Sequence, residues 1–461
     1  MKMWSESTFG AYNAKESFMP EWGKHVYRVG SEENFDVQTP DDTDSLKKQK
    51  KDIEPWLTAV FQSEHLALLL GSGFTRAVAT QACTDASDMG CDYTKFPFAK
   101  EIETAANDFA KLSGRGVANI EDQIRTANSL SQGLKILGKS DERILVENAT
   151  NELIKNFLYG IAQSELNIKN YVEGNAKIKL KDNTPSWYSM EPLVMLVSFL
   201  LSFASRTATR ERLNIFTTNY DRLIEYGADL AGLHILDRFI GTLEPIFRSS
   251  RLDVDIHYNP PGIRGEPRYL EGVVRLTKLH GSLDWIYHNG FVRKIGLPFG
   301  ADENHPAFSK DPINTVMIYP NSAKDRETSE YPYVELFRDY SAAVCRPNSA
   351  LVVYGYGFGD EHINRTIIDM LTIPSTHLII MAYADAERRI RNFCEYVGRK
   401  SQISILFGSH FGHLPTMVEH YLPKPAIDRI TLRQVELLKN RGWETHQPKD
   451  SDEHERNGEK Q

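Results

Sequence analysis

The residues of this chain that could do chemistry stand at the ends of apolar runs. In "RLTKLHGSLDW" (275–285), His280 and Gly281 follow an apolar-alternating stretch, and an imidazole titrates near neutrality, so it can move a proton. "TTNYDRLIE" (217–225) crowds Thr217, Thr218, Asn219 and Asp221 behind the run "LNIFT". One such residue suffices to cap the helical pattern that follows, which leaves the others for a ligand. "GSGFTRAV" (71–78) and "GYGFGDEHIN" (355–364) are glycine-rich turns leading into helical patterns. Backbone without a Cβ comes close to a phosphate there, and the first helical amides face an anion. Taken singly, each feature has a structural explanation: glycine turns a chain, Asn219 or Asp221 caps a helix, and His280 fills a turn. The first glycine turn lacks the third glycine of G-x-G-x-x-G because position 76 is arginine. Nor does Ser72 sit in the G-x-S-x-G elbow of a hydrolase nucleophile.

Elements must bring these four turns together. Short apolar runs recur at 66–70, 213–217, 273–279, 315–319, 351–355, 378–383 and 403–407. Near-continuous apolar runs are the habit of strands buried on both faces, as in parallel sheets. Helical patterns alternate with them, for example "DRLIEYGADLAG", "YVELFRDYSAAV" and "DEHINRTIIDML". The expected fold is therefore α/β: a doubly wound, mainly parallel Rossmann-like sheet. Residues 92–212 break the rhythm with helical patterns such as "DERILVENATNELIKNFLYGIAQ", which predicts a large helical insertion between the first and second core strands. The expected division is an N-terminal arm over 1–55, a core over 56–91 and 213–423, the insertion over 92–212, and a C-terminal extension with a disordered tail over 424–461. In an open sheet of this kind ligands bind beyond the carboxyl ends of the strands, where all four turns fall.

Composition narrows the classes. With 54 basic and 62 acidic residues in 461, the formal charge of −8 gives no support to a surface that coats nucleic acid, and direct DNA binding stays open. Four cysteines, Cys83, Cys91, Cys345 and Cys394, form no C-x-x-C pair, so neither a zinc ribbon nor a disulfide framework is expected. The start "MKMWSESTFG" lacks the pattern of a signal peptide, and "PLVMLVSFLLSFA" (192–204) is too short to span a bilayer. It reads as a buried helix, and the chain as cytoplasmic. His410 and His413 in "GSHFGHLP" show no third ligand and read as structural; "KKQKK" from Lys47 reads as a solvated linker face. The aromatic-rich first fifty residues suit an arm that docks on its own core or on another subunit.

In order and character, "GSG", "TTNYD", "KLHGS" and "GYGFGD" resemble the sirtuin fold, and more closely the sirtuin-like NAD-consuming effectors of bacterial anti-phage defence. The resemblance runs from about Leu66 to Phe407. It implies NAD as substrate, no metal, and roles for particular residues. Gly71, Ser72 and Gly73 would hold the NAD phosphates, with Phe74, Thr218 and Gly281 beside them. Asn219 would position the ribose or an attacking water, Asp221 would contact the nicotinamide carboxamide, and His280 would be the general base. Gly355 and Gly357 would lie near the adenosine half.

Two departures refine the expectation. Deacylating sirtuins carry a zinc module with paired cysteines, absent here, and their Pro-Asp-Phe-Arg element survives only as Phe74 and Arg76. The expected activity is thus NAD glycohydrolysis to nicotinamide and ADP-ribose, used to deplete NAD in anti-phage defence. Similar effectors form homo-oligomers, and one type is paired with a HerA-like ring ATPase; either would gate the activity. Two alternatives stand: a non-catalytic NAD or ADP-ribose sensor module, and an NAD-dependent deacylase or ADP-ribosyltransferase.

Overall fold

A computed structural model describes residues 25–28, 35–37, 43–86, 97–112, 117–172, 192–206, 210–250, 254–258, 268–308, 315–317 and 331–424. In chain order the elements are β1 (His25–Arg28), β2 (Phe35–Val37), α1 (Thr43–Phe61), β3 (His65–Leu70) and α2 (Ser72–Gln81). The stretch expected as an insertion supplies α3 (Ala99–Leu112), α4 (Ile120–Ile136), α5 (Ser140–Val172) and α6 (Pro192–Ala204). Then come β4 (Leu213–Thr217), α7 (Leu223–Ala231), β5 (His234–Leu236), β6 (Phe239–Ile240), β7 (Ile246–Phe247), β8 (His257–Tyr258), β9 (Arg268–Tyr269) and β10 (Val273–Lys278). β11 (Gly281–His288), β12 (Phe291–Lys294), β13 (Thr315–Met317), α8 (Tyr333–Val344), β14 (Ser349–Tyr354), α9 (Glu361–Leu371), β15 (His377–Ala382), α10 (Arg389–Val397) and β16 (Ile403–Phe407) complete the set.

The main sheet runs β2-β1-β16-β15-β14-β3-β4-β10-β5. The seven strands from β16 to β5 are all parallel. Period-2 alternation divides each strand between two layers. Leu66, Leu68 and Leu70 pack with Phe61, Phe74, Phe199 and Phe203 on one face, among side chains of α1, α2, α6 and α7. Ala67 and Leu69 pack with Tyr340, Ile367 and Phe393 on the other, among α8, α9 and α10. Burying one leucine this way stabilises by about 1.5–3 kcal/mol, and Leu68→Ala would cost about 2–5 kcal/mol once the cavity is counted. The doubly wound α/β fold with its helical region is as the apolar runs foretold.

One strand assignment needs correction, and one core strand was missed. The run 315–319 reads as a core strand, but Thr315–Met317 pairs antiparallel with β11 in a separate sheet ordered β13-β11-β12-β7-β6. The seventh parallel strand is instead β5, three residues after a nine-residue helix, too short to show a period. An apolar run announces a strand; which sheet takes it is decided by distant partners.

The described part of the N-terminal arm docks on its own core: β1 pairs antiparallel with β16, covering that edge. Residue 55 lies inside α1, whose Ile53, Leu57 and Phe61 are core residues. The "KKQKK" run is likewise part of α1 rather than a linker, with the Tyr421 hydroxyl donating to Gln49 at 2.8 Å. The 192–204 run forms α6 and is packed against the sheet. No described helix is long and apolar enough to cross a membrane. The described residues up to Pro423 form one compact unit; of the expected C-terminal extension and tail, all but Lys424 lies outside the described residues.

Candidate functional site

Strand register sets the height of the site. Leu70 of β3 pairs with Thr217 of β4 and Tyr354 of β14, and Thr217 pairs in turn with Lys278 of β10. The four chemistry-bearing turns therefore leave the sheet in one row. Strand order also reverses here: from β3 the chain builds towards β4, and later towards β14 on the opposite side. The turns after β3 and β14 straddle a topological switch point, where an open parallel sheet leaves a crevice.

These two glycine turns lock backbone to backbone. Gly71 N–H donates to Tyr354 O at 3.1 Å and Gly73 N–H to Gly355 O at 2.9 Å. A Cβ on Gly71 would stand 2.6 Å from Gly355 O, and one on Gly355 would stand 2.5 Å from the amide nitrogen of Phe74. Gly355 also adopts φ +65°, the left-handed region that favours glycine. The first duty of these glycines is thus to let the loops touch. At Gly357, the carbonyl accepts from Arg389 Nε at 2.9 Å.

The turn after β4 is held by side chains. Both protons of the Asn219 amide are spent, on Gly71 O and on Thr75 Oγ1, each at 2.9 Å. The Thr75 hydroxyl donates to Asp221 Oδ2 at 2.7 Å, and Asp221 Oδ1 accepts from Leu223 N–H at 3.1 Å. Asp221 is therefore both the helix-start acceptor and the end of a relay. Asn219 is left with Oδ1, an acceptor, as its unspent polar atom. Buried Lys278 donates to the carbonyl of Asp221 and to Glu225 Oε1, the latter at 3.2 Å, which satisfies a charge otherwise costly to bury.

His280 is 6% exposed, and its Nε2 lies 2.8 Å from Asp360 Oδ2. The other oxygen of Asp360 caps α9 by accepting His362 N–H at 3.1 Å. A carboxylate on Nε2 favours the proton on that nitrogen, which leaves Nδ1 as the acceptor of the ring. The Asp360 amide donates to the Tyr356 hydroxyl at 3.2 Å. Burial pushes that phenol well above its usual range, so it stays protonated.

These groups line a cavity of about 320 Å³. Thr75, Thr218, Asn219, Asp221, His280 and Asp360 contribute from the sheet side, and Glu121, Phe157, Ile161 and Ser164 from the helical insertion. The insertion is fastened to the turn after β4: Glu165 takes the Arg222 amide at 2.7 Å and its guanidinium at 2.5 Å. A second cavity of about 560 Å³ adjoins the first, sharing Ser72, Arg76, Tyr356, Gly357 and Arg389, and adding Gly73 and Gly355. Three carboxylates, Glu121, Asp221 and Asp360, thus line the first cavity, and two arginines line both cavities.

Three expected ligand residues lie elsewhere. Phe74 is 0% exposed and packs its ring on Phe199 and Tyr354, at 5.1 and 6.2 Å, so its side chain serves the core. Gly281 lines neither cavity; it takes φ +90° and opens β11. Gly71 likewise lines neither, being spent on the loop contact. His410 and His413 are bonded to Tyr421 and Thr416, at 2.7 and 2.8 Å. Among the described residues no group of three or more His, Cys, Asp or Glu is arranged to hold a metal. Sequence reasoning missed Thr75, Glu121, Asp360 and Arg389. Asp360 had a signal, as an Asp opening a helix after "GYGFG"; the others had none.

Residues 213–400 match the family model described as a SIR2-like domain. The matched stretch carries Asn219, Asp221, His280, Gly355, Gly357 and Asp360, and excludes the first glycine turn and residues 92–212. It supports a sirtuin-like family and fits an NAD-related activity. No curated protein matches the chain.

Proposed function

We propose that the chain is an NAD glycohydrolase that releases nicotinamide and ADP-ribose. The observation that carries this reading is the meeting of Asn219 Oδ1 and the His280–Asp360 pair in one cavity beside a crevice lined with glycine and arginine. The charge pattern supports it. A dinucleotide with its diphosphate at Ser72, Arg76 and Arg389 would put one end in the smaller, acidic cavity and the other in the larger cavity beside Gly73 and Gly355. Gly357 would stand at the diphosphate, and Asp221 and Thr218 near the departing base.

In the reaction the bond from ribose C1′ to the nicotinamide nitrogen breaks, and its electron pair leaves with the base. A water oxygen bonds to C1′ and gives its proton to Nδ1 of His280, which returns it to solvent. Asp360 steadies the imidazolium that forms, and Asn219 Oδ1 accepts from the water or a ribose hydroxyl. General-base help of this kind is worth about 10²–10⁴ in rate. The helical wall of Glu121, Phe157, Ile161 and Ser164 lines one side of this cavity, and an acceptor held against it would be a small molecule such as water rather than an acylated peptide.

The wider reading has two further parts, both resting on the motif resemblance: NAD depletion as an anti-phage response, and gating by homo-oligomerisation or a HerA-like ring ATPase. Size-exclusion of the full chain and of a chain starting just before β1 tests the arm's share in assembly, and identical profiles would remove it. For the chemistry, purified protein is given NAD with and without an acetylated peptide while nicotinamide is followed. Release without peptide, lost by about 10²-fold or more in His280→Ala and Asn219→Ala, is the expected result. Release only with peptide would replace hydrolysis by deacylation, and NAD binding without release would make the chain a sensor.

A further inference from the structure

The helical insertion places a carboxylate in the cavity that none of the four sequence motifs contains. Glu121 lies in the first turn of α4, is 8% exposed, and lines the same cavity as Asn219 and His280. Its position is doubly determined. The Tyr220 hydroxyl, from the turn that carries Asn219, donates to Glu121 Oε1 at 2.8 Å. The helix start beneath it is pinned by a capping box, with Asn119 accepting Asp122 N–H at 3.0 Å and donating its own N–H to Asp122 at 3.2 Å. A glutamate in a first helical turn eases the helix dipole, but that duty needs neither burial nor a tyrosine from another element.

The neighbours of Glu121 describe a ligand. Tyr220 stands edge-on to Phe157, ring centroids 5.7 Å apart, and Phe157 and Ile161 give the cavity an apolar wall. Ser164 lines it too; its hydroxyl is buried and makes no hydrogen bond among the described residues. An aromatic and aliphatic wall, an unspent hydroxyl and a fixed anion suit a flat, polar-substituted ring that carries positive charge. Resting on the NAD reading above, we infer that Glu121 is the specificity-determining residue that reads the cationic ring, so that the site takes the oxidised dinucleotide and discriminates against the reduced, neutral one.

The test is binding of NAD⁺ and NADH to the full chain by calorimetry, in a His280→Ala background where NAD⁺ survives the titration. A unit charge facing a carboxylate in a partly desolvated site should favour NAD⁺ by about tenfold or more. Glu121→Gln keeps an acceptor for Tyr220 and should bring the two nucleotides within about twofold, with an unchanged melting temperature. Should that variant fail to fold, Tyr220→Phe carries the test: it leaves the charge unanchored and should shrink the preference part-way. A preference that survives both substitutions overturns the inference even if NAD is hydrolysed. A preference lost in Glu121→Gln, in a protein that never hydrolyses NAD, upholds Glu121 and sinks the glycohydrolase. Failure to bind either nucleotide overturns both.

Discussion

The two sides of the cleft are built on different physics. On the β3–β14 side, the turns are held by backbone touching backbone, and Gly71, Gly73 and Gly355 work by having no side chain. On the β4–β10 side, the turns are held by side chains: Asn219 to Thr75 to Asp221, and His280 to Asp360. A backbone contact tolerates no added atom, so damage there is steric and global. A side-chain relay tolerates loss of a member, so damage there is chemical and local. The half proposed to bind the diphosphate is therefore expected to fail by unfolding, and the half proposed to move a proton by losing rate.

The sharpest way to break this contrast is at Gly355. A valine there meets the Phe74 amide and an unfavourable φ, and should cost about 4 kcal/mol or more, removing folded protein as judged by thermal melting. If Gly355→Val melts like the parent, the loops do not touch as described. The opposite behaviour is expected of Asp360→Asn. Asparagine caps a helix as well as aspartate, so stability should hold while the imidazole loses the partner that selects its tautomer. Nicotinamide release should fall by about 10²-fold.

A smaller effect is expected at Thr75→Val, which keeps the shape and removes the relay hydroxyl. It should cost about 1–3 kcal/mol and lower turnover by about tenfold, and Thr75→Ser should restore both. The mildest test uses acid. Burial pulls the imidazole of His413, at the glycine-side cavity, from 6.5 down to about 4. With the folded value depressed, the unfolded chain binds more protons between these limits, so stability is full above about pH 6.5 and falls as pH drops towards 4. His413→Asn should flatten that slope in melting temperature, while a slope unchanged by the substitution would place the acid response elsewhere.

Much of the site was legible because it lies next to legible strands. The runs at 66–70, 213–217, 273–279 and 351–355 place Gly71, Asn219, His280 and Gly355 at strand ends, and parallel pairing levels those ends. The expected ligand residues that line neither cavity follow from the same logic. Phe74 looked like part of a ligand turn because it follows Gly73 directly, yet it is the third residue of α2, and the helix swings its side chain into the core. Gly281 looked like open space beside His280, but the chain turns there to start another sheet.

The sequence by itself determined the α/β layering, the row of four turns, and the choice of Asn219 and His280 as chemical candidates, because a period of two and the residue after a strand are local properties. Only the tertiary structure decided that Asp360 backs His280, that Thr75 links Asn219 to Asp221, that Tyr220 anchors Glu121, and that β5 rather than 315–317 completes the sheet. The physical reason is separation along the chain: Glu121 and Tyr220 stand 99 residues apart, and Thr75 and Asp221 146 apart. No local pattern encodes such pairs; they exist because the parallel sheet brings their elements to one edge and the insertion folds down upon it.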